Sequence, residues 1–358
     1  MIFVLAIAAA YQLFAIVACL FRKNPTRPAI PSHPVSILKP VRGIDAGFRQ
    51  AIASHLDLTG EFELLCGVRS LDDPAVTLLR REFPQVRIVE CRTRTPNGKA
   101  GVLIDLVAAA QYPILVVNDA DIRVEPDYLA RVTAPLADPA VGLVTCLYRP
   151  NGETFAARFE GLGVSTDFAP STLVARLAGV DEFAMGSTLA FRRADLDRIG
   201  GFAAVADYLA DDYQLGHRLH GLGLKCLLSD VIVETHLGGG WSDVWRHQVR
   251  WARTIRVSKF GGYLGLPVTF ATFWAAAAAC AGEWPWGAAL LAVRMTMAIV
   301  SGWFIVRSRD VWRLWWAIPL RDLFGAAVWI VALFGNSVTW RGERLRIDRE
   351  GRIARNQM

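Results

Sequence analysis

The apolar residues of the chain follow two different patterns, and each pattern predicts a different environment. Residues 1–21, MIFVLAIAAAYQLFAIVACLF, carry no charge and match the roughly 20 residues that cross a bilayer. Long apolar segments return near the other end of the chain, and they span 263–282, 284–306 and 314–336. We therefore predict a membrane-crossing helix at the N-terminus and further membrane segments near the C-terminus.

The residues between these ends, 35–255, alternate short β-rich runs with segments of helical spacing. The strand-like runs are VSILKPV, FELLCGV, VRIVEC, PILVVND and GLVTCLY, and helix-like examples are DPAVTLLRREF and GKAGVLIDLVAAAQ. Nearly continuous apolar strands that alternate with helices predict an α/β, Rossmann-like domain with a mostly parallel sheet covered on both faces. Ligands of such sheets bind beyond the carboxyl ends of the strands.

The two patterns divide the chain into an N-terminal anchor (1–21), a globular domain (33–258), membrane segments (263–338) and a basic tail (339–358). The basic stretch FRKNPTR follows the first apolar segment instead of preceding it. That order favours a retained anchor with its N-terminus outside and the globular domain in the cytoplasm, and a cleaved signal peptide is the alternative.

The last apolar segment is interrupted by Pro319, Arg321 and Asp322, so we expect two half-helices or an interfacial piece followed by a span. Arg294, in the segment before it, should face a neighbouring helix because a charge in lipid is costly. The topology contains a conflict. If all three C-terminal segments cross the membrane after a cytoplasmic domain, the basic tail lies outside the cell. The arginines of the tail favour the cytoplasmic side instead. The two would agree if one of the segments does not span the membrane.

Composition and charge narrow the class of protein. The chain is 53% hydrophobic and carries a net charge of +6, and its basic residues collect beside the apolar segments. This distribution indicates contact with an anionic membrane surface and not with nucleic acid. The six cysteines form no CxxC pair, which argues against a zinc site or a disulfide framework.

Two acids one residue apart, Asp119 and Asp121, end the strand-like run PILVVND. A solvated turn is one interpretation, since Asp is common in turns. The other is a Mg²⁺ or Mn²⁺ site, because such cations take oxygen ligands and are often bound by one or two carboxylates and substrate phosphates.

Two further acidic pairs fall at predicted strand ends or helix starts. Asp72 and Asp73 follow FELLCGV, and Asp211 and Asp212 begin a helix-like segment. Acids are favoured in the first helical turn by the helix dipole. The functional interpretation is that Asp212 takes a proton from an acceptor hydroxyl as a general base, with a pKa raised by its neighbour.

The basic candidates are Lys99, at a helix start in TPNGKAG, and Arg250, beside Trp251 in HQVRW. Lys99 is either a surface lysine or a phosphate contact. Arg250 and Trp251 are either an interfacial anchor or a pair in which Arg250 neutralises a leaving diphosphate and Trp251 walls the acceptor site.

The order SILKPVRG, DDPAV, DADIRV, IGGF, LADDYQLG and HQVRW, with membrane segments at both ends, resembles the ceramide glucosyltransferase family of processive-type GT-A glycosyltransferases. The resemblance covers nearly the whole chain. It implies a cytosolic GT-A domain with an N-terminal transmembrane helix and C-terminal transmembrane helices, and the extra acid Asp121 makes the chain look bacterial. It also implies placement in a bacterial inner membrane.

The resemblance implies a role for each candidate. Asp119 and Asp121 hold Mg²⁺ or Mn²⁺, and Asp212, with Asp211 beside it, is the catalytic base. Arg250 and Trp251 belong to the leaving-group and acceptor motif. Residues expected to bind the donor are Lys39, Asp72 or Asp73, Lys99, Asp119 and His247. Ser70 and His247 differ from the residues usual in the family. The resemblance therefore does not identify which acid contacts uridine, or which contacts the site makes around His247.

The sequence therefore predicts an inverting, metal-dependent transfer of a sugar, with UDP-glucose as donor and ceramide as acceptor. The alternatives are glucose or N-acetylglucosamine transfer to a hopanoid polyol or diacylglycerol. A chain-extending polysaccharide synthase is less favoured, because three apolar segments offer little for a secretion channel. A non-catalytic nucleotide- or lipid-binding membrane protein is the alternative of another class.

Overall fold

The computed structural model describes residues 1–22, 33–340 and 342–354. These residues form two compact units. The α/β unit contains 33–148 and 180–236, and the helical unit contains 1–22, 149–179 and 237–354. Residues 149–179 therefore belong to the same unit as the helices near the two ends of the chain, although they lie in the middle of the predicted globular domain.

The β-strands are numbered in chain order. They are β1 (Val35–Pro40), β2 (Phe62–Val68), β3 (Arg87–Glu90), β4 (Ile114–Val117), β5 (Val141–Gly152), β6 (Leu189–Arg192), β7 (Lys225–Leu237), β8 (Ser337–Trp340), β9 (Glu343–Ile347) and β10 (Ile353–Ala354).

The α-helices are numbered in the same way. They are α1 (Ile2–Leu20), α2 (Phe48–Leu56), α3 (Pro74–Glu82), α4 (Gly98–Ala109), α5 (Tyr128–Thr133), α6 (Phe155–Gly163), α7 (Ala169–Leu177), α8 (Arg193–Arg198), α9 (Asp211–Gly221), α10 (Trp241–Ser258), α11 (Phe260–Gly265), α12 (Ala271–Cys280), α13 (Trp284–Ile299), α14 (Asp310–Arg313) and α15 (Ile318–Leu333). Short 3₁₀ or π-helical turns extend several of them.

The large sheet has the strand order β3-β2-β1-β4-β6-β5-β7. Strands β3, β2, β1 and β4 are parallel, and β6 then runs antiparallel to both β4 and β5. The predicted α/β fold with a mostly parallel sheet is confirmed, and each of the five strand-like runs contains a strand. The structure adds the antiparallel strand β6, which the sequence pattern did not reveal.

The sheet is buried on both faces, which explains why its strands are apolar at successive positions. In β4, Ile114 and Val116 pack into one hydrophobic cluster, while Leu115 and Val117 pack into the other. Helices α2, α3 and α5 cover the first face, and α4 and α9 cover the second. Every residue of β4 is buried, so this strand is a rigid support for the loop that follows it.

Three helices of the helical unit, among the described residues, are long and apolar enough to cross a membrane: Ile2–Leu20, Trp284–Ile305 and Trp315–Leu333. A fourth candidate is the pair Phe260–Thr269 and Ala271–Cys280, whose axes differ by 52°. The predicted break at Pro319 was therefore wrong, and the bend lies in the 263–282 segment instead. Pro319 is in the first turn of α15, where proline removes no intrahelical hydrogen bond.

The charged residues of these helices pair with each other inside the unit. The Arg294 guanidinium forms a salt bridge with Asp322 at 2.6 Å, and both side chains are almost fully buried. Thr272 also donates to Asp322. The expectation that Arg294 faces a neighbour is confirmed. Near the C-terminus, β8, β9 and β10 form a small antiparallel sheet.

All six cysteines are free thiols, and only Cys280 is exposed.

Candidate active site

The loop after β4 carries the two acids of the predicted cation site, and buried polar groups determine its shape. Asn118 is fully buried, and its amide donates to the Tyr128 hydroxyl at 2.9 Å and to the Ser187 carbonyl at 2.8 Å. These bonds join the end of β4 to α5 and to the segment before β6. Sequence reasoning did not assign a role to Asn118, although a polar residue that ends an apolar strand was the available signal.

Lys39, in β1, binds the backbone of the same loop. Its ammonium group is fully buried and donates to the carbonyl oxygens of Asp119 and Ile122, at 2.9 and 3.3 Å. Burial lowers the pKa of Lys39 to about 8, although Asp121 and Asp119 oppose the shift. The ammonium is thus engaged with the loop backbone, which favours a positioning role over the predicted donor contact.

Asp121 points inward and is held by β7. One of its carboxylate oxygens accepts hydrogen bonds from the Thr235 hydroxyl at 2.6 Å and from the His236 backbone N–H at 3.1 Å. Burial and the nearby Asp119 raise the pKa of Asp121. Arg123 and Glu234 exchange backbone hydrogen bonds just beyond, so the loop lies along β7.

Asp119 is the more accessible of the two acids, with a side chain 43% exposed, and it pairs with Lys99 at 2.6 Å. Lys99 lies in the first turn of α4, where Asn97 caps the helix by accepting from the Lys99 and Ala100 backbone N–H groups. Burial opposes the charge of Lys99, but Asp119, Asp211 and Asp212 outweigh burial and raise its pKa. Lys99 is therefore the cation of an acidic cluster at the ends of the strands.

Asp212 completes this cluster from the start of α9. One carboxylate oxygen accepts from the Gly186 N–H and the other accepts from the Tyr213 N–H, both at 2.8 Å. A Cβ on Gly186 would lie 3.2 Å from the Asp212 carboxylate and 3.4 Å from the Lys99 ammonium. Burial raises the pKa of Asp212, and Lys99 counteracts the effect.

Asp211, the neighbouring acid, is more deeply buried, and one of its carboxylate oxygens has no hydrogen-bond partner. Burial, with Asp212 and Asp119 adding like charge, raises the pKa of Asp211 to about 6. The prediction that neighbouring acids raise the pKa of this pair holds for Asp211, but burial is the larger cause.

The acids of the first motif have different surroundings. Asp73 caps α3, accepting from the Ala75 N–H at 2.9 Å, and both of its oxygens also accept from the Gly43 N–H. Asp72 is exposed and is contacted by the Ser70 hydroxyl at 3.3 Å. The Asp73 carboxylate is therefore engaged with backbone N–H groups of the domain, whereas the Asp72 carboxylate is accessible to a ligand.

The HQVRW motif lies on α10, in the helical unit. The His247 ring nitrogen Nδ1 and the Gln248 amide both contact one Glu160 carboxylate oxygen, each at 2.7 Å. The Trp251 ring lies against the His247 ring, with centroids 4.4 Å apart, and near Phe168. Glu160 is buried and was not singled out from the sequence, because its position in α6 places it far from the motif along the chain.

The acidic cluster suits a divalent cation. Among the residues that the structure describes, no three His, Cys, Asp or Glu side chains are grouped as a cation cage. Asp119 and Asp121 provide two carboxylates that lie one residue apart in the loop, and the Asp119 side chain is 43% exposed. This donor set fits a cation whose remaining ligands are phosphate oxygens and water.

The fold is that of the GT-A glycosyltransferases. A solved structure of similar fold is the mannosyltransferase PcManGT from Pyrobaculum calidifontis in complex with GDP-Man and Mn²⁺. The superposition has a TM-score of 0.54 and 21% sequence identity, and it covers 92% of this chain and 99% of that one. At this identity the likeness concerns the fold alone.

The family follows from the sequence. The sequence model of glycosyl transferase family 21 matches residues 1–353, and the chain belongs to this family. Ceramide glucosyltransferase 1 of Caenorhabditis elegans is 28% identical over 219 residues, which are 59% of this chain and 46% of that protein. Beta-monoglucosyldiacylglycerol synthase of Synechocystis sp. is 30% identical over 190 residues, 52% and 37% of the two chains. The chain thus spans less than half the length of these curated relatives.

Proposed function

We propose that the protein is a membrane-bound inverting glycosyltransferase that moves a hexosyl group from a nucleotide sugar to a lipid hydroxyl. The observation that carries the proposal is the acidic cluster at the strand ends, in which Asp212 is held by two backbone N–H groups beside the Lys99–Asp119 pair. Family membership supports glycosyl transfer. Two relatives support a lipid acceptor, because one is named as a ceramide glucosyltransferase and the other as a monoglucosyldiacylglycerol synthase.

In the proposed reaction Asp212 accepts the proton of the lipid hydroxyl. The hydroxyl oxygen attacks the anomeric carbon from the face opposite the nucleoside diphosphate, and the bond from that carbon to the phosphate oxygen breaks. The product is a β-glycoside. The raised pKa of Asp212 suits a base, because a carboxylate with a higher proton affinity removes a proton more readily.

The leaving diphosphate needs positive charge, since the site itself is rich in carboxylates. Mg²⁺ or Mn²⁺, held by Asp119 and Asp121, would supply electrostatic stabilisation of the diphosphate when bound. Lys99 orients Asp119 and contributes a further positive charge. We assign Arg250 to the leaving group and Trp251 to the acceptor, and we assign the exposed Asp72 to the nucleoside.

For the substrates themselves, we propose UDP-glucose and ceramide, on the resemblance to ceramide glucosyltransferases. Diacylglycerol is the second candidate acceptor, because a relative at 30% identity is named for glucosyldiacylglycerol synthesis. We place the α/β unit on the cytoplasmic side of a bacterial inner membrane, where nucleotide sugars are available.

The test is transfer of radiolabel by membranes that contain the protein. UDP-glucose or UDP-N-acetylglucosamine would be offered with Mg²⁺ against ceramide, diacylglycerol and a hopanoid polyol, with Asp212→Asn membranes as the control. Label in ceramide that is lost in the variant supports the whole proposal. Label in another lipid changes the acceptor only, and no labelled lipid with any pair contradicts the proposed function.

A further inference from the structure

Helix α15 is apolar enough to cross a membrane, yet it packs lengthwise against α10. In its first half, Arg321 donates to the Gln248 side chain at 2.6 Å, and Phe324 packs on Trp245 with ring centroids 5.5 Å apart. At its end, Arg256 donates to the Leu333 carbonyl at 2.5 Å. The two helices therefore run side by side and in the same direction.

Helix α10 cannot occupy the hydrocarbon core. It carries an ionisable group on nearly every turn, namely Asp243, Arg246, His247, Arg250, Arg253 and Arg256. An arginine at the centre of a bilayer is costly because its charge loses the hydration it has in water. Only residues 238–240 separate α10 from β7, so α10 begins on the side of the membrane where β7 ends.

The two ends of α15 lie near the two ends of α10. Trp316, just before α15, stacks on Phe155, whose ring also contacts Trp241 at the start of α10. Beyond the other end of α15, the Phe334 carbonyl accepts from Arg253 at 2.9 Å. A helix that crossed the bilayer would have its ends on opposite sides, and α10 would then have to cross beside it.

The outer face of α15 suits lipid. Its exposed residues follow helical spacing and are apolar, and they are Leu320, Leu323, Ala327, Ile330, Val331 and, just past the last turn, Phe334. Trp315 and Trp316, which precede the helix, are also exposed, and tryptophan favours the boundary between lipid and water. An apolar stripe opposite a charged neighbouring helix is typical of a segment in the plane of the membrane surface.

We propose that α10 and α15 together form a surface that lies in the membrane interface, with phospholipid as its partner, and that α15 does not cross. The C-terminal sheet is then on the same side of the membrane as the α/β unit.

The remaining helices give a consistent path. Leu5 of α1 packs in one cluster with Ala275 of α12 and Leu290 of α13, while Cys19 near the other end of α1 contacts Ser301. Helices α1 and α13 are therefore parallel, and Trp284 lies towards the N-terminal end of α1. If the bent pair α11 and α12 is one crossing, α13 returns the chain to the side of the α/β unit.

This path removes the conflict in the sequence between the number of apolar segments and the charge of the tail. Arg344, Arg346 and Arg349 are exposed around the C-terminal sheet. With α15 in the interface, these arginines are on the same side of the membrane as Arg22, just after α1, as the positive-inside rule requires.

The experiment is cysteine labelling of sealed membrane vesicles of both orientations with a membrane-impermeant maleimide. Arg309→Cys precedes α15, Arg344→Cys follows it, and Arg80→Cys in α3 marks the α/β unit; all three positions are exposed. Each substitution would be made in a Cys280→Ser background. Native Cys280, the exposed thiol after α12, would be probed in the unmodified chain as the marker of the opposite side.

We expect the cysteines at 309, 344 and 80 to be labelled in the same vesicle orientation, and Cys280 in the other. Labelling of positions 309 and 344 from opposite sides would show that α15 crosses and would overturn the proposal. Labelling of 344 opposite to 80 would overturn it as well. The result is independent of sugar transfer, which none of these positions is assigned to support.

Discussion

Asp212, the base of the proposed reaction, is held in place by two backbone N–H groups. Both of its oxygens accept hydrogen bonds, from Gly186 and Tyr213, and its position at the start of α9 favours the ionised form. Burial acts in the opposite direction and raises its pKa. These opposing effects leave a carboxylate with a higher proton affinity than an exposed aspartate.

Replacement of this base should remove catalysis and leave donor binding largely unchanged. In Asp212→Asn, we expect the rate of transfer to fall by about 10²–10⁴, the usual contribution of a general base. Donor affinity, measured by titration with the nucleotide sugar, should change little. Asn can accept only one of the two N–H bonds, so a loss of about 1 kcal/mol in stability is expected.

The matched control is Asp197→Asn, at an exposed acid of α8, which should leave the rate of transfer unchanged. Near-normal transfer by Asp212→Asn would exclude the role of Asp212 as the base.

Replacement of Asp73 should lower the stability of the protein, whereas replacement of Asp72 should weaken binding of the nucleotide sugar. Asp73→Ala removes the cap of α3 and the acceptor for the Gly43 N–H, so thermal unfolding should show a loss of about 1 kcal/mol or more. Asp72→Ala should leave the unfolding temperature unchanged and raise the KM for the nucleotide sugar. A raised KM in Asp73→Ala with normal stability, and none in Asp72→Ala, would reverse the assignment.

Lys99 should control the acidic limb of the pH–rate profile. Because its positive charge lowers the pKa values of both Asp211 and Asp212, Lys99→Met should raise them. In the proposed reaction Asp212 acts in its ionised form, so activity should be lost as pH falls through its pKa, and the acidic limb of kcat/KM should move to higher pH in the variant. Lys99→Arg retains the charge and is the control. An acidic limb that stays in place in Lys99→Met would contradict this coupling.

At the scale of the elements, Glu160 connects α6 to the HQVRW motif on α10. Its buried carboxylate contacts His247 and Gln248 through one oxygen, and Arg321 of α15 binds the other end of the Gln248 side chain. Three helices thus position the residues that precede Arg250 and Trp251. The family usually has Gln or Arg where this chain has His247, and the contact with Glu160 shows how the histidine is accommodated.

Loss of this connection should lower the rate more than it changes donor binding. In Glu160→Ala, His247 and Gln248 lose a shared acceptor, and we expect a several-fold fall in kcat with a smaller change in the KM for the donor. Glu160→Gln retains an acceptor oxygen and should recover most of the rate. If the two variants differ only in unfolding temperature and have equal kcat, Glu160 is structural and does not position the motif.

At the scale of the whole molecule, the helical unit contains a buried ion pair between Arg294 and Asp322. Removal of one partner leaves an uncompensated charge and typically costs about 3–5 kcal/mol, whereas replacement of both by apolar residues is often close to neutral. We therefore expect Arg294→Met or Asp322→Leu alone to lower the unfolding temperature in detergent strongly. The double variant should be more stable than either single variant. Additive losses would show that the two residues act independently.

The class of fold and most of the candidate residues could be predicted from the amino-acid sequence alone. The apolar runs in 35–148 predicted strands because buried parallel strands are apolar at successive positions, and Asp119, Asp121 and Asp212 were found because they occur at strand ends or helix starts. The order of these motifs along the chain also indicated the family. Local patterns are sufficient for such features, because a strand or a helix start is encoded by neighbouring residues.

The pairing of polar groups became visible only in the three-dimensional contacts. Sequence alone could not separate Asp72 from Asp73, show that Lys39 binds the loop backbone, or identify Glu160 as the partner of His247, since these contacts join residues distant in the chain. It also could not locate the bend in 263–282 or the packing of α15 on α10. Hydropathy records how apolar a helix is, and only its contacts show where that helix lies.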